Sequence, residues 1–443
     1  VAEVRPKLGW SDLATARVGL WGLGREGNAN LRKLRSMGAE PVLVDDNPPG
    51  PDVLATGAGG LDALKSCDVV VKSPGISRYR PELVTLEAAG IPVAGGLGLW
   101  ITDADRFRVV CVTGTKGKST TSAVLGHLLT GLGKRVLVGG NIGVVPYDPE
   151  VTGEFDYWVI EVSSYQATDL PYSPPVVAVT SLHPDHLPWH GGVEQYYRDK
   201  LSACSQPGAE LTIANGDSEL IRARASLLGP RIEWVHDEPA EWTQPLGLLG
   251  THNRRNALIA RRCLAALGFH PDDDELRKAA EGYPGLPSRL TNIGTIEGVT
   301  FVDDSLSTNV LPTLAALEAF PGRRVALIAG GQDRGIDYEP LAAGIVTRDA
   351  PTLVLTVGDS GRRIRAAFEQ VALGNTSAAW RSGGSGVLDC PDLDYAVQSG
   401  FAWARPAGVV LLSPAAPSFG QFRDYRDRGD AFARAMQRLS TSE

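Results

Sequence analysis

Sulfur is scarce in this chain of 443 residues, which has five cysteines and two methionines. Cys67, Cys111, Cys204, Cys263 and Cys390 stand far apart with no C-x-x-C pair. That spacing argues against a disulfide framework and against a thiolate zinc site, and each cysteine reads as a buried apolar filler. Long apolar runs are also missing: none reaches the roughly 18 residues that a membrane-spanning helix needs. The opening Val1-Ala-Glu-Val-Arg-Pro-Lys7 lacks the apolar core of a secretion signal, so a cytoplasmic location is expected. There is no basic tract either. With 51 acidic against 43 basic residues the formal charge is −8, which disfavours nucleic acid and anionic membranes as partners and favours small molecules. Internal repeats and long low-complexity segments are absent, although Arg381-Ser-Gly-Gly-Ser-Gly386 is expected to be a flexible loop.

What is present is a recurring pattern of short apolar runs, bounded by Gly, Pro and Asp, with helical stretches between them. This is the signature of parallel sheets wrapped by helices, so the fold class is α/β. The length allows two to four domains, and three blocks are legible. Block one, 1–104, has candidate strands at Arg17–Trp21, Pro41–Val44, Asp68–Val71 and Ile91–Ala94. Block two, 105–285, has them at Val109–Thr113, Arg135–Val138, Tyr157–Val162, Val176–Thr180 and Leu211–Ala214. Block three, 286–443, has them at Val299–Val302, Arg324–Ala329, Thr352–Val357 and Gly408–Ser413. The turn-rich Tyr283-Pro-Gly-Leu-Pro-Ser288 suits a hinge between the last two blocks.

The most specific stretch is Val109-Val-Cys-Val-Thr-Gly-Thr-Lys-Gly-Lys-Ser-Thr-Thr121, a buried strand running through a glycine-rich turn into a helix. Such a turn cradles phosphate: backbone amides from Gly114 to Lys118 face an anion on the helix dipole, Lys118 neutralises the outer phosphates, and Ser119 offers a hydroxyl to Mg²⁺. ATP is the implied ligand. Val112 stands where the commoner loop pattern has its first glycine, so this is the short form of that signature. Glu161 ends the apolar strand of Trp158-Val-Ile-Glu-Val-Ser-Ser-Tyr165 and reads either as a helix cap or, beside a phosphate loop, as a Mg²⁺ ligand.

Ser181-Leu-His-Pro-Asp-His-Leu-Pro-Trp-His190 crowds three of the seven histidines together. Zinc is disfavoured there, because the prolines break the helical register and no cysteine lies near; one histidine as a Mg²⁺ or phosphate-side polar group, with the others structural, fits better. Lys200, in a helical stretch, reads by itself as a solvated surface lysine. Gly22-Leu-Gly-Arg-Glu-Gly27, followed by Asp45 at the next strand end, reads as a diphosphate turn or a packing turn. The loop Lys72-Ser-Pro-Gly-Ile76 tips the balance toward a nucleotide-diphosphate site. His252-Asn-Arg-Arg-Asn-Ala257 heads an Ala- and Leu-rich helix, and its asparagines suit caps or a base edge. In block three, Leu286-Pro-Ser-Arg-Leu290, Phe301-Val-Asp-Asp-Ser-Leu-Ser-Thr-Asn309, Gly330-Gly-Gln-Asp-Arg-Gly335 and Ser413-Pro-Ala-Ala-Pro-Ser-Phe-Gly420 offer charged and polar turns for phosphoryl chemistry and a small anionic substrate.

In this order, and with Gly140-Asn-Ile-Gly143 and Glu161-Val-Ser-Ser-Tyr-Gln166 among them, these motifs resemble those of the Mur ligases, ATP-dependent amino-acid ligases of peptidoglycan synthesis, within their glutamate-adding branch. The resemblance covers nearly the whole chain. It implies a Rossmann-like N-terminal domain for the UDP end of UDP-N-acetylmuramoyl-L-alanine, a central ATPase domain and a Rossmann-like C-terminal domain that closes over glutamate. It implies an acyl-phosphate reaction in the cytoplasm, carried out by a monomer.

Residue by residue, the resemblance places Gly24, Arg25, Glu26, Gly27, Asp45, Ser73 and Gly75 at the UDP end, and Asn141 and Gln166 on the muramoyl side. Gly114, Thr115, Lys116, Gly117, Lys118, Ser119, Thr120, Asn256, Arg289 and Asp304 fall at ATP. Ser119, Glu161, His186 and Lys200 fall at two Mg²⁺ ions, with Lys200 carbamylated and Lys118 among the catalytic set. Thr308, Arg334, Ser418 and Tyr425 fall at glutamate. The chain departs from the family pattern at Leu306, where lysine is usual, at Pro188, where aspartate is usual, and at Tyr425, where phenylalanine is common. The wording of its turns is similar to the sister branch that adds L-glutamate, with the D-glutamate-adding branch as the alternative. A nicotinamide-dependent oxidoreductase would leave the phosphate loop unexplained, and a nucleotide-sensing regulator would leave Glu161, His186 and Lys200 without work. Folylpolyglutamate synthases share the short phosphate loop but give no reason for the two loops ahead of it.

Overall fold

The computed structural model describes residues 5–372, 377–378, 380 and 384–439. Residues 1–4 of the opening stretch and 381–383 of the expected flexible loop lie outside the described residues. Among the described residues, seventeen strands form three sheets. The first joins β1 (Val18–Trp21), β2 (Val42–Asp45), β3 (Leu54–Ala55), β4 (Val69–Lys72) and β5 (Val93–Gly95) in the order β3-β2-β1-β4-β5. The second joins β6 (Val109–Thr113), β7 (Val136–Gly140), β8 (Tyr157–Glu161), β9 (Val176–Val179), β10 (Leu211–Asn215) and β11 (Ile232–Val235) in the order β11-β10-β9-β6-β8-β7. Both are parallel throughout.

The third joins β12 (Thr291–Ile296), β13 (Val299–Asp303), β14 (Val325–Gly330), β15 (Thr352–Val357), β16 (Gly386–Asp389) and β17 (Val409–Leu412) in the order β12-β13-β17-β14-β15-β16. Only the β12–β13 pair is antiparallel.

The central strands are largely apolar because helices cover both faces of the sheets. In the third sheet, side chains alternate between two cores: Val325, Leu327 and Ala329 pack with Val354, Val409 and Leu411, while Ala326 and Ile328 pack with Leu355, Val410 and Leu412. The first sheet divides in the same way, with Val18 and Leu20 on one side and Trp21 and Val70 on the other. All five cysteines are buried and unpaired, in keeping with their role as fillers. No helix among the described residues is long and apolar enough to cross a membrane.

The sheets group into two compact units. Val1–Pro245 with Arg255–Tyr283 holds the first two sheets, and Leu246–Arg254 with Pro284–Glu443 holds the third. Four strands were not foreseen from the sequence: β3, β11, β12 and β16. Each is an edge strand.

The order of strands determines where loops converge. In the first sheet β1 is flanked by β2 on one side and β4 on the other, so the strand order reverses there, the point beyond whose carboxyl ends open α/β sheets bind ligands. The Gly22–Gly27 turn and the Ser73 loop leave from that point. In the second sheet β6 lies between β8 and β9, and the loops after these three strands carry the phosphate motif, Glu161 and the histidine segment.

Candidate functional site

The phosphate loop links β6 to the helix Lys118–Gly131. Gly114 and Gly117 both have positive φ, 138° and 89°, and a Cβ on Gly114 would lie 2.2 Å from Thr180 Oγ1. Glycine is required at Gly114 by both conformation and space. Neighbouring strand ends clamp the loop. The Thr115 amide donates to the Ser181 carbonyl (2.8 Å), the Lys116 amide donates to Ser181 Oγ (2.8 Å), and Thr180 Oγ1 donates to the Lys116 carbonyl (2.5 Å). Thr115 Oγ1 donates to the His183 carbonyl (3.0 Å) and also meets the Tyr196 hydroxyl (2.8 Å). Lys118 Nζ donates to the Thr115 carbonyl (3.2 Å), which keeps the cation over the loop. Thr120 is buried in the first turn of the helix. Asn256 belongs to the same compact unit, since a Cβ on Gly117 would lie 2.7 Å from its Oδ1.

Glu161 is buried at the end of β8. Its Oε2 accepts from the Ser119 hydroxyl (2.6 Å) and its Oε1 from Asn141 Nδ2 (2.6 Å). A helix-capping role is thereby set aside, because the helix that follows is capped by Ser163, whose hydroxyl accepts from the Gln166 amide. A carboxylate and a hydroxyl oxygen meeting at the mouth of a phosphate loop are the donor types a hard cation takes, with water and phosphate oxygens completing its shell. Among the described residues no three His, Cys, Asp or Glu side chains converge on one metal position.

Lys200 corrects the reading made from its own surroundings in sequence. It lies in the helix Val193–Leu201, yet it is only 2% exposed, and its Nζ donates to the Gly114 carbonyl (3.0 Å). Burial, with Lys118 as the next cause, holds its ammonium well below the ordinary lysine range. His186 has a positive φ of 52°, remains about half exposed, and stands 3.7 Å from Asp185 and beside the Tyr165 ring. Partial burial lowers its pKa. His190 is buried, with Nδ1 on Asp199 (2.5 Å) and Nε2 on the Ser164 hydroxyl (3.0 Å), which makes it a structural histidine. The backbone of His183 serves the loop.

The first sheet builds a second locus in the same unit. Gly27 lets the helix Arg25–Ser36 approach the preceding turn, because a Cβ there would lie 1.9 Å from the Gly22 carbonyl oxygen. Ser73 Oγ donates to that carbonyl (2.7 Å) and so ties the two loops together, while Gly24 and Gly75 face open space. Asp45 accepts the Leu23 amide (2.6 Å) and the Asn47 amide (2.8 Å), so both its oxygens brace the turn. Arg25 donates to the Asn141 carbonyl (2.7 Å) and the Gly143 carbonyl (3.1 Å), and Gln166 Nε2 donates to Glu26 (2.8 Å).

In the other unit, Asp304 is buried after β13 and accepts from the Leu290 amide (3.1 Å) and the Ser413 hydroxyl (2.7 Å). Burial pushes its carboxyl up to about 7. Arg289 lies between Ser288 and Leu290, both of positive φ. Ser418 is buried and Thr308 half-buried; Tyr425 opens the helix Tyr425–Leu439, and Arg334 is exposed with its guanidinium over the Phe419 ring, 5.5 Å from the centroid. Arg428 was not foreseen. It is 2% exposed, spans the carbonyls of Ser305 (2.8 Å) and Ala416 (3.1 Å), and its pKa is held down at about 10 by burial. It locks together the loops that carry Thr308 and Ser418. Thr180, Ser181 and Tyr196 were missed as well. Their only signal in the sequence is their place just past a strand end or inside a helix, and many residues share that.

Residues 112–241 match the model of the Mur ligase middle domain. A UDP-N-acetylmuramoyl-L-alanine–L-glutamate ligase of a Micromonospora strain is 40% identical over 96% of this chain and 98% of its own length. One from Xanthomonas euvesicatoria is 37% identical over 96% and 95%. Among solved structures, a UDP-N-acetylmuramate–alanine ligase of Thermotoga maritima has the same fold, with a TM-score of 0.57 at 19% identity, covering 97% of this chain and all of that one. The MurF ligase of the same organism, solved with ADP, gives 0.54 at 15% over 97% and 99%. The chain belongs to the Mur ligases, a family of ATP-dependent ligases, and within them to the family of the UDP-N-acetylmuramoyl-L-alanine–L-glutamate ligases.

Proposed function

We propose that this protein joins L-glutamate to UDP-N-acetylmuramoyl-L-alanine at the expense of ATP, as a cytoplasmic step of peptidoglycan precursor synthesis. The domain partition proposed with it is 1–104 for the UDP end, 105–285 for ATP and 286–443 for glutamate, all within a monomer. The substrate's terminal carboxylate attacks the γ-phosphorus of ATP and ADP leaves; the glutamate amine then attacks the acyl phosphate, the amide bond forms and phosphate departs. The observation that carries this reading is the Ser119–Glu161–Asn141 chain. It links the phosphate loop, a buried carboxylate and an expected muramoyl-side residue through two hydrogen bonds of 2.6 Å.

Each residue then has defined work. Backbone amides of Gly114 to Lys118 and the Lys118 ammonium hold the phosphates, and Asn256, Arg289 and Asp304 are the proposed nucleotide contacts. Ser119, Glu161 and His186 would hold Mg²⁺, which when bound offsets charge on the transferring phosphoryl group. Lys200 fits carbamylation: its depressed pKa leaves a neutral amine able to attack CO₂, losing a proton as the N–C bond forms, and the product is an anion where a second Mg²⁺ needs one. Thr308, Arg334, Ser418 and Tyr425 would hold glutamate. The preference for the L form rests on the relatives' names and on Leu306, half-buried in the loop after β13, whose own side chain offers no cation to a carboxylate. The test is phosphate release from ATP. Release should require UDP-N-acetylmuramoyl-L-alanine and glutamate together; release indifferent to both would leave a nucleotide-binding regulator or an unrelated ATPase.

A further inference from the structure

The diphosphate turn contains an acidic residue where an anion is to be bound, which is unfavourable unless that residue does something else. Glu26 lies in the first turn of the helix Arg25–Ser36 and is 9% exposed. Its carboxyl is held by two side chains. Oε2 accepts from Gln166 Nε2 (2.8 Å) and Oε1 meets the Tyr147 hydroxyl (3.3 Å), both from the chain segments of the second sheet. Gln166 is itself fixed, because its Oε1 accepts the Ser163 amide (2.9 Å) and its own amide donates to Ser163 Oγ (3.1 Å). The preceding residue works in parallel, since Arg25 holds the carbonyls of Asn141 and Gly143. Two adjacent residues of the turn therefore fix the two positions, Asn141 and Gln166, assigned above to the muramoyl side.

We propose that Glu26 is a positioning residue for the UDP-linked substrate: its carboxyl ties the diphosphate turn to Gln166, and it takes up a proton when the diphosphate arrives at that turn. This rests on the substrate reading given above. The charged and titratable groups around Glu26 are Tyr147, Asp169 and Lys72, with Arg78 and Lys72 both paired to Asp169 (3.0 and 2.5 Å) and with Asp148 and Arg25 beside Tyr147. The lysine and arginine facing it are thus largely answered by Asp169. Burial, the largest cause, raises the Glu26 carboxyl to about 7. A raised carboxyl of this kind gains a proton more readily still when two phosphate charges lie nearby. The neutral acid keeps both contacts, accepting from Gln166 and donating to the tyrosine oxygen.

Calorimetry of UDP-N-acetylmuramoyl-L-alanine binding at pH 7, with a non-hydrolysable ATP analogue present, tests this in buffers of different ionisation enthalpy. The wild-type enthalpy should depend on the buffer, in the direction of net proton uptake on binding. Glu26→Gln, which mimics the neutral acid, should bind with an enthalpy independent of buffer. In steady state Glu26→Ala should raise KM for the UDP substrate about tenfold, with kcat changed far less, because Gln166 loses a buried acceptor, and Glu26→Gln should restore KM. Buffer-independent binding by the wild type overturns the proposal. So does uptake that persists in Glu26→Gln, or a glutamine variant as impaired as the alanine one. Absence of any binding by the wild type removes the substrate reading itself, and this proposal with it.

Discussion

Lys200 shows how far a residue's surroundings in space differ from its surroundings in sequence. Its helix is mixed in character, and Tyr196, Tyr197, Asp199, Lys200 and Leu201 are all buried, so no simple polar face marks which charge is inside. A buried ammonium that donates to the Gly114 carbonyl is costly unless its charge is relieved. The proposed carbamylation would replace that charge with an anion, and it predicts a specific outcome. Lys200→Ala should lose at least about a hundredfold in kcat, consistent with loss of one charge-stabilising group from a closed site, and short-chain carboxylates should restore part of it. Full activity in the variant, or no rescue in a folded one, would return Lys200 to a structural role. Asp45 makes the complementary point: its position at a strand end was legible, but its use of both oxygens on backbone amides was not. Sequence spacing placed nearly every named side chain at a loop, and it gave no access to what each one faces.

The phosphate turn and the diphosphate turn share a construction, a strand end followed by glycines and a helix start, and both were readable because glycine is needed for backbone reasons. Gly27→Ala gives a direct check. The added methyl would sit 1.9 Å from backbone oxygen, which cannot rotate away, so the helix must shift. We expect destabilisation of about 1–3 kcal/mol by denaturant unfolding, with weakened binding of the UDP substrate; unchanged stability would mean the helix does not need that approach. Central strands were legible for a related reason. Burial on both faces makes them continuous apolar runs, whereas β3, β11, β12 and β16 lie at edges. There Ile232-Glu-Trp-Val235 and Thr291-Asn-Ile-Gly-Thr-Ile296 mix polar with apolar residues, and β3 has only two residues. Propensity is least informative where one side of a strand meets solvent.

Across the chain, the proposed site residues fall in two compact units, with the phosphate loop, Glu161, Lys200 and the Gly22–Gly27 turn in one and Asp304, Thr308, Arg334, Ser418 and Tyr425 in the other. The order of motifs carried the family assignment, and relatives of 37–40% identity over nearly full length agree with it. Stereochemistry lies in finer detail. Leu306 donates its amide to the Ser288 carbonyl (3.1 Å) and presents an aliphatic side chain where the wider family has a cation, and Pro188 opens the short helix Leu187–His190. Inverting glutamate's α-carbon while both carboxylates stay anchored moves the amine off the line of attack, a misplacement that costs on the order of a hundredfold in rate. One pocket should therefore not serve both enantiomers well. The deciding measurement is ATP-dependent phosphate release with UDP-N-acetylmuramoyl-L-alanine and each glutamate enantiomer supplied separately. Turnover with L-glutamate at least about a hundredfold above that with D-glutamate is predicted. Strong turnover with D-glutamate and none with L-glutamate would contradict the account.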